Sequence, residues 1–432
     1  MSAPTIARPE SMKMARSPIF VTGKSGTQSG DSLNYMDINL KVWAGGKSTP
    51  PSTNLYSMSK NYAVNGVINF ELSDLIRSQF AHDFNIYQES GFVPSPLNEV
   101  LWVTANGQWT YTNQGQFPSI TTSHTTGTTY AFLASDGWAA KTNTANEQVF
   151  SYVMADERVY YVTSATSGVL PVRNQGISYA TIEWQNGDSD TFYGTSGEQW
   201  PIPSETYDSQ QEVIYLGVYP ANLDGNQELD GSIQPQNHDE DEWYDVVLRD
   251  LQGGELQRIR FQMVCEPKYQ PIQVAWVNRY GVMDMMTFFK VSTEQGAFTN
   301  ESYQRSIYAD GFTAPAVDKG EFVDYNINSR NTINLNSGFV EEEYKNIIQD
   351  ILMSEYSAIL VTQQLASTIW NDISILWQKW AAYWNNGNIA DSYWIAANPN
   401  RGGVEYYKEV NQKLINYAMS FTFAFNERMG LR

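Results

Sequence analysis

The chain holds three histidines, His82, His124 and His238, which lie far apart and in unlike surroundings. No pair has metal-ligand spacing and no HExxH occurs. A Ser-His-Asp constellation needs no proximity in sequence, but no GxSxG elbow is present to support one. All three therefore read as structural histidines. Gly23-Lys24-Ser25 follows the apolar Ile19-Phe20-Val21 as in a phosphate-binding loop, yet the glycine that loop requires five positions before Gly23 is here Pro18. Gly26, Thr27, Gln28, Ser29 and Gly30 then supply no helix, so the segment reads as a hinge. Asp224, Asn226, Glu228 and Asp230 alternate like the oxygen ligands of a calcium loop. The glycine and glutamate such a loop needs at its sixth and twelfth positions are Leu229 and Pro235. These four are the candidate metal ligands, weighed against a solvated acidic loop, and Asp239-Glu240-Asp241-Glu242 reads as a solvated charge run. Glycosidase carboxylates meet only in three dimensions, and 47 acidic residues offer too many pairs to choose from. Trp380, Trp384 and Trp394 are of a type that stacks on sugars and equally of a type that fills cores. The expectation is a non-enzymatic chain without a cofactor.

Composition narrows the partners. The net charge is −20, which disfavours non-specific nucleic-acid binding, since that relies on Lys and Arg neutralising phosphates. Residues 1–30 carry Arg8, Lys13, Arg16 and Lys24 against Glu10, making this segment +3 and the remainder −23. A basic arm can dock on an acidic neighbouring copy. Cys265 is the only cysteine, so an intrachain disulfide is excluded and a small buried hydrophobe is expected. No signal peptide and no run of ~18 apolar residues is evident, so no membrane span and assembly in a cytoplasm are expected. The 27 Tyr and 13 Trp suit pleated, half-buried surfaces.

The elements that must position these residues read as mainly β: multidomain, β-sandwich-like modules with a few short helices. The expected organisation is an extended basic arm over 1–30, a first β domain over 31–135, a second over 136–256 with an acidic loop at 221–242, and a C-terminal β domain over 257–432. Met36, Ile38, Leu40 and Val42 alternate with polar residues as in a strand, and Ser73 is the expected N-cap of a short helix. Short β runs follow at Val100–Val103, Tyr130–Leu133, Val149–Met154, Val159–Val162, Ser178–Trp184, Val213–Val218, Ile259–Val264 and Met283–Val291. Residues 299–336 read as polar loop, 338–355 as a helix through Val340, Tyr344, Ile347, Ile348 and Ile351, and Ala358–Val361 as a strand. Helix or strand stays open for 362–385. Ile415, Tyr417, Met419, Phe421, Phe423 and Phe425 alternate strictly, predicting a twelve-residue strand about 40 Å long.

Four segments together resemble structural proteins of tailed bacteriophages: Asn34–Trp43 leading into Gly66–Arg77; Glu266, Lys268, Tyr269 and Pro271 continuing through Asn278, Arg279, Tyr280, Gly281 to Phe288-Phe289-Lys290; Leu335–Val340 with Leu352–Glu355; and Lys413–Tyr417. They keep a consistent order over most of the chain. The resemblance implies a virion, tail or baseplate component, such as a distal-tail or collar ring, built from copies of itself and bound to other tail or connector proteins. Its assembly elements would be the arm, through Arg8, Lys13, Arg16 and Lys24, and the terminal strand, through Ile415, Tyr417, Phe421 and Phe423. Deleting residues 1–24 should then impair incorporation and leave the fold intact. A tail adaptor binding a host receptor or surface glycan, with aromatics in 356–395, is the alternative; a tail depolymerase is the third.

Overall fold

The computed structural model describes residues 5–7, 12–24, 31–61, 67–84, 91–96, 98–113, 121–125, 131–138, 152–164, 166–192, 209–224, 242–264, 268–269, 271–305, 320–362, 392–402, 405–408 and 414–424. The chain is mainly β, with three short helices among the described residues. It divides into two compact units: Met1–Cys265 with Trp276–Met285, and Glu266–Ala275 with Met286–Arg432.

Unit 1 contains two sandwiches. In the first, a three-stranded sheet of β1 (Thr5–Ala7), β3 (Phe20–Lys24) and β6 (Val67–Glu71) faces a second sheet. That sheet runs β2 (Lys13–Met14), β10 (Ala131–Ser135), β8 (Val100–Asn113), β4 (Asp31–Trp43) and β5 (Tyr56–Asn61), with β9 (Thr121–Thr125) also on β8. Period-2 alternation turns Met36, Ile38 and Leu40 of β4 inward, where they meet Val103, Phe132, Val21 and Phe70. Helix α1 (Ser73–Arg77) adds Ile76; its N-cap is Leu72, one residue before the expected Ser73.

The second sandwich sets a five-stranded sheet, in the order β11 (Tyr160–Val162), β17 (Glu255–Met263), β16 (Trp243–Arg249), β13 (Tyr179–Trp184) and β14 (Ser189–Phe192), against β12 (Leu170–Arg173), β15 (Val213–Gly217) and β7 (Gly91–Pro94). Helix α2 (Pro220–Asp224) follows β15. Phe261 is the pivot of its core: Tyr160 and Tyr244 stack on it at 4.9 and 5.0 Å, and Tyr219 meets it edge-on at 5.2 Å. The Tyr244 hydroxyl donates to the Val218 carbonyl at 2.8 Å, so the stack keeps its polar end satisfied. The expected boundary at 256/257 falls inside β17.

Unit 2 is built on an eight-stranded sheet. Its order is β19 (Met283–Phe288), β18 (Ile272–Val277), β22 (Ser357–Thr362), β23 (Ser392–Pro399), β25 (Leu414–Phe423), β21 (Phe322–Glu341) and β20 (Thr293–Gln304), with β24 (Glu405–Lys408) also on β25. The tip of the β18–β19 hairpin, Trp276–Met285, counts with unit 1. Ile415, Tyr417, Met419, Phe421 and Phe423 of β25 are all buried, as their alternation predicts. Helix α3 (Tyr344–Met353) buries Tyr344, Ile347, Ile348 and Ile351, and the Arg401 guanidinium donates to the Leu352 and Ser354 carbonyls at its C-terminus.

Two expectations are corrected here. The described parts of 299–336, residues 299–305 and 320–336, are mostly strand rather than loop, because β20 and β21 pair through their backbones, which their polar side chains do not announce. The helix expected over 338–355 begins only at Tyr344. Gly338, at φ +76°, sits in the bulge of β21 that shifts the inward face from Ile333 and Leu335 to Val340. Of the expected Val149–Met154 strand, the described part holds one isolated bridge, Val153 to Val172. The aromatic run between 363 and 391 lies outside the described residues.

The described residues of the expected arm, 5–7 and 12–24, include paired strands. Thr5–Ala7, Lys13–Met14 and Phe20–Lys24 are strands, and Met12, Met14, Ala15, Ile19 and Val21 are buried. Gly23 and Lys24, the start of the expected hinge, belong to β3, paired with Ile68 and Val67, and its remainder, residues 25–30, lies outside the described residues. Removing residues 1–24 therefore strips one face of the first core. The truncated chain is expected to lose cooperative melting of that sandwich, read by near-ultraviolet circular dichroism; an unchanged transition would show the segment dispensable for folding.

Candidate functional site: a buried charge cluster

Among the described residues, a buried cluster of ionisable groups lies in unit 1, at the point where β10 ends. Asp136 follows the apolar run of β10 directly, and its residue is 2% exposed. A carboxylate so buried requires partners. Arg16, from the turn after β2, donates from Nε to Oδ1 at 3.1 Å and from Nη2 to Oδ2 at 3.0 Å, and its Nε also reaches the Asp136 carbonyl at 2.9 Å. Arg77, the last residue of α1, adds an ion pair at 3.5 Å.

His82 approaches from the loop after α1. Its Nε2 lies 3.2 Å from Asp136 Oδ2, and its Nδ1 lies 3.9 Å from Glu99 Oε1. The imidazole is 3% exposed, so both ring nitrogens face carboxylates and neither faces solvent. Glu99, just before β8, accepts a hydrogen bond from the Tyr215 hydroxyl of β15 at 2.6 Å, and that hydroxyl accepts from the Met283 amide at 2.8 Å. A continuous polar chain thus runs from two guanidiniums through a carboxylate, an imidazole, a second carboxylate and a phenol to the β18–β19 hairpin.

The electrostatics follow from burial and neighbours. Burial disfavours the charged imidazole, but hydrogen bonds and charge from Asp136 and Glu99 outweigh it and raise the His82 pKa above 6.5. Burial alone would raise the Asp136 pKa; His82 and Arg16 reverse this and hold it below its ordinary 3.8. Tyr215 is pushed well up by burial and by the adjacent Glu99 charge, so it stays a hydrogen-bond donor. Chemically, the cluster sets a buried imidazole between two buried carboxylates, an arrangement that can clamp the elements carrying them.

Backbone packing tightens it. Gly281 is at φ +78°, and a Cβ there would lie 2.4 Å from the Asp136 carbonyl carbon and the Gly137 nitrogen. The Trp138 amide donates to the Arg279 carbonyl at 2.6 Å and the Ser135 hydroxyl to the Tyr280 carbonyl at 3.0 Å. A second buried pair lies in the same unit: Arg158 grips Asp284 bidentately at 2.7 and 2.9 Å, donates to the Met285 carbonyl, and lies 4.2 Å from the Tyr160 ring centre. On the solvent face of the five-stranded sheet, Arg249, Arg258 and Arg260 interleave with Glu183, Asp245 and Glu255.

The residues singled out by sequence fare differently. Lys13 is fully buried and burial lowers its pKa; Arg16 is engaged within its own chain; Lys24 lies within a paired strand; and Arg8 falls outside the described residues. Ile415, Tyr417, Phe421 and Phe423 face the interior of their own sheet, and β25 is flanked by β21, β23 and β24. Of these, Lys13, Arg16, Ile415, Tyr417, Phe421 and Phe423 are buried or engaged within their own chain. Of the candidate metal ligands, Asp224 ends α2, while Asn226, Glu228 and Asp230 lie outside the described residues. Among the described residues no group of three or more His, Cys, Asp or Glu side chains is arranged to hold a metal, and no helix is long and apolar enough to cross a membrane. The side chains bonded to Asp136 come from up to 120 positions away and form no motif. Its one trace in the sequence is that Glu99 and Asp136 each abut an apolar strand.

No family model matches the chain, and no curated protein matches it.

The clamp sets a pH window. His82, with its pKa raised, contributes stability that is complete below 6.5 and lost as pH rises through its folded value. Asp136, with its pKa lowered, contributes stability present above 3.8 and lost as pH falls through its folded value. Unfolding free energy is expected to decline on both sides of a maximum between these limbs, and His82→Gln should flatten the alkaline one in a denaturant titration series. Asp136→Ala, which strands Arg16 and His82, should cost about 3–5 kcal/mol in the same measurement.

Proposed function

We propose that the chain is a structural component of a tailed-phage virion, in the tail or baseplate, acting through contacts with its own copies and with other tail proteins. The observation that carries this reading is the β20–β21 ribbon. Every described side chain of β20 is exposed, whichever face it points to, and the outer end of β21 carries exposed Phe322 and Tyr325 beside Tyr303. A two-stranded ribbon with both faces in water is marginal by itself, and exposed aromatics on a strand edge suit contact with another protein. The four segments resembling phage structural proteins support the same reading. So does the cluster around Asp136, whose ionisable groups are spent on holding strands together.

Immunogold electron microscopy of intact virions, with antibody against the purified chain, tests the proposal. Label on the tail or its tip is the expected result. Label on the head would overturn the tail assignment. Absence from virions, with free chain in infected cells, would overturn the structural role and favour a depolymerase, which would release reducing sugars from host polysaccharide.

A further inference from the structure

Exposed large hydrophobic side chains gather at two strand edges. One group, Tyr303, Phe322 and Tyr325, lies on the β20–β21 ribbon, where β20 ends the order of its sheet. The other set lies along β5, which ends the order of the sheet containing β4: Leu55 and Tyr56 at its start, and Tyr35 of β4, across from Asn61, at its far end. Both edges present backbone groups for a further strand, and neither strand contains proline.

Their charges are opposite. β20 carries Glu294 and Glu301 and no basic residue, whereas β5 carries Lys60 and no acidic residue. Lys60 is held at the edge: its Nζ donates to the Asn69 carbonyl at 2.8 Å and lies 5.1 Å from the Phe70 ring centre. Among the edge strands whose side chains are described, β5 is the one exposed on both faces that combines a cation with no acid. The β14 edge carries Asp190, and β2, β11, β12 and β19 are largely buried.

We propose that β20 of one copy adds as a strand to β5 of the next copy of this chain, with Glu301 and Lys60 in apposition and the two aromatic groups covering the junction. The two surfaces differ, so the contact is head-to-tail and propagates into a closed ring or a filament. This deepens the assembly reading and rests on it. Self-association in solution and presence in virions are separate readouts, so either can fail alone.

The test is sedimentation velocity on the purified full-length chain across a concentration series, at low and high salt. Multiples of the monomer mass that dissociate as salt rises are expected. Lys60→Glu and Glu301→Lys should each raise the dissociation constant about tenfold or more through like-charge apposition. Both the double variant and an equimolar mixture of the two single variants should restore association, a rescue that folding damage cannot mimic. Should either charge variant lose its cooperative melt, Tyr303→Ser is expected to weaken association by a similar factor. A wild-type chain monomeric at every concentration would overturn the proposal. So would single variants that associate normally, or a mixture that stays dissociated.

Discussion

A carboxylate placed where water cannot reach it dictates the arrangement of much that surrounds it. Asp136 would be untenable alone in an apolar interior, so a guanidinium from the turn after β2, another from α1 and an imidazole from the following loop all converge on it. Each of those groups rides on an element with its own packing obligations. Ala15, next to Arg16, and Ile76, next to Arg77, both belong to the first core. Glu99 and Tyr215 carry the same constraint to β8 and β15, and Gly281 brings the hairpin turn into backbone contact. Arg158 and Asp284 repeat the device with one pair. Buried ion pairs contribute little net stability compared with apolar packing of the same volume. What they contribute is intolerance of other arrangements: a strand slipped by one residue would leave a bare charge in the interior.

How much of this could be read in the sequence depends on whether side chains or backbones did the work. β4 and β25 were legible because one face of each is buried, which imposes strict alternation on Met36, Ile38 and Leu40 and on Ile415 through Phe423. β20 and the outer part of β21 were not, because side chains open to water on both faces are under no such constraint. The strands within residues 1–30 escaped notice for another reason. Met12 with Met14, and Ile19 with Val21, are apolar pairs too short to establish a period, and the prolines around them read as linker. Gly338 misled in turn, since the bulge it allows shifts the inward parity and merges a strand end with the helix that follows.

The Asp136 cluster shows the limit most plainly. Its members are ordinary residues at ordinary frequency, and only the fold makes them neighbours. Histidines in such a chain invite a search for catalysis; the His82 ring is buried, with Nε2 3.2 Å from Asp136 Oδ2 and Nδ1 3.9 Å from Glu99 Oε1. Among the described residues, an arginine–carboxylate ladder on β13, β16 and β17 lies on the solvent face of its sheet, apart from the buried charges around Asp136.

The parallel pairings have a consequence for how the protein is made. β2 lies beside β10, more than a hundred residues downstream, and β11 lies beside β17 at a similar separation. The turn that packs against Asp136 is later still. During vectorial synthesis the Asp136 charge therefore emerges from the ribosome unsealed and waits for ~145 further residues, roughly 7–29 seconds of elongation at ~5–20 residues per second. Non-local closure of this kind is intrinsically slow. In that interval exposed strand edges from chains on the same messenger are near one another, so the timing of translation, as much as the final contacts, governs whether they pair correctly or tangle.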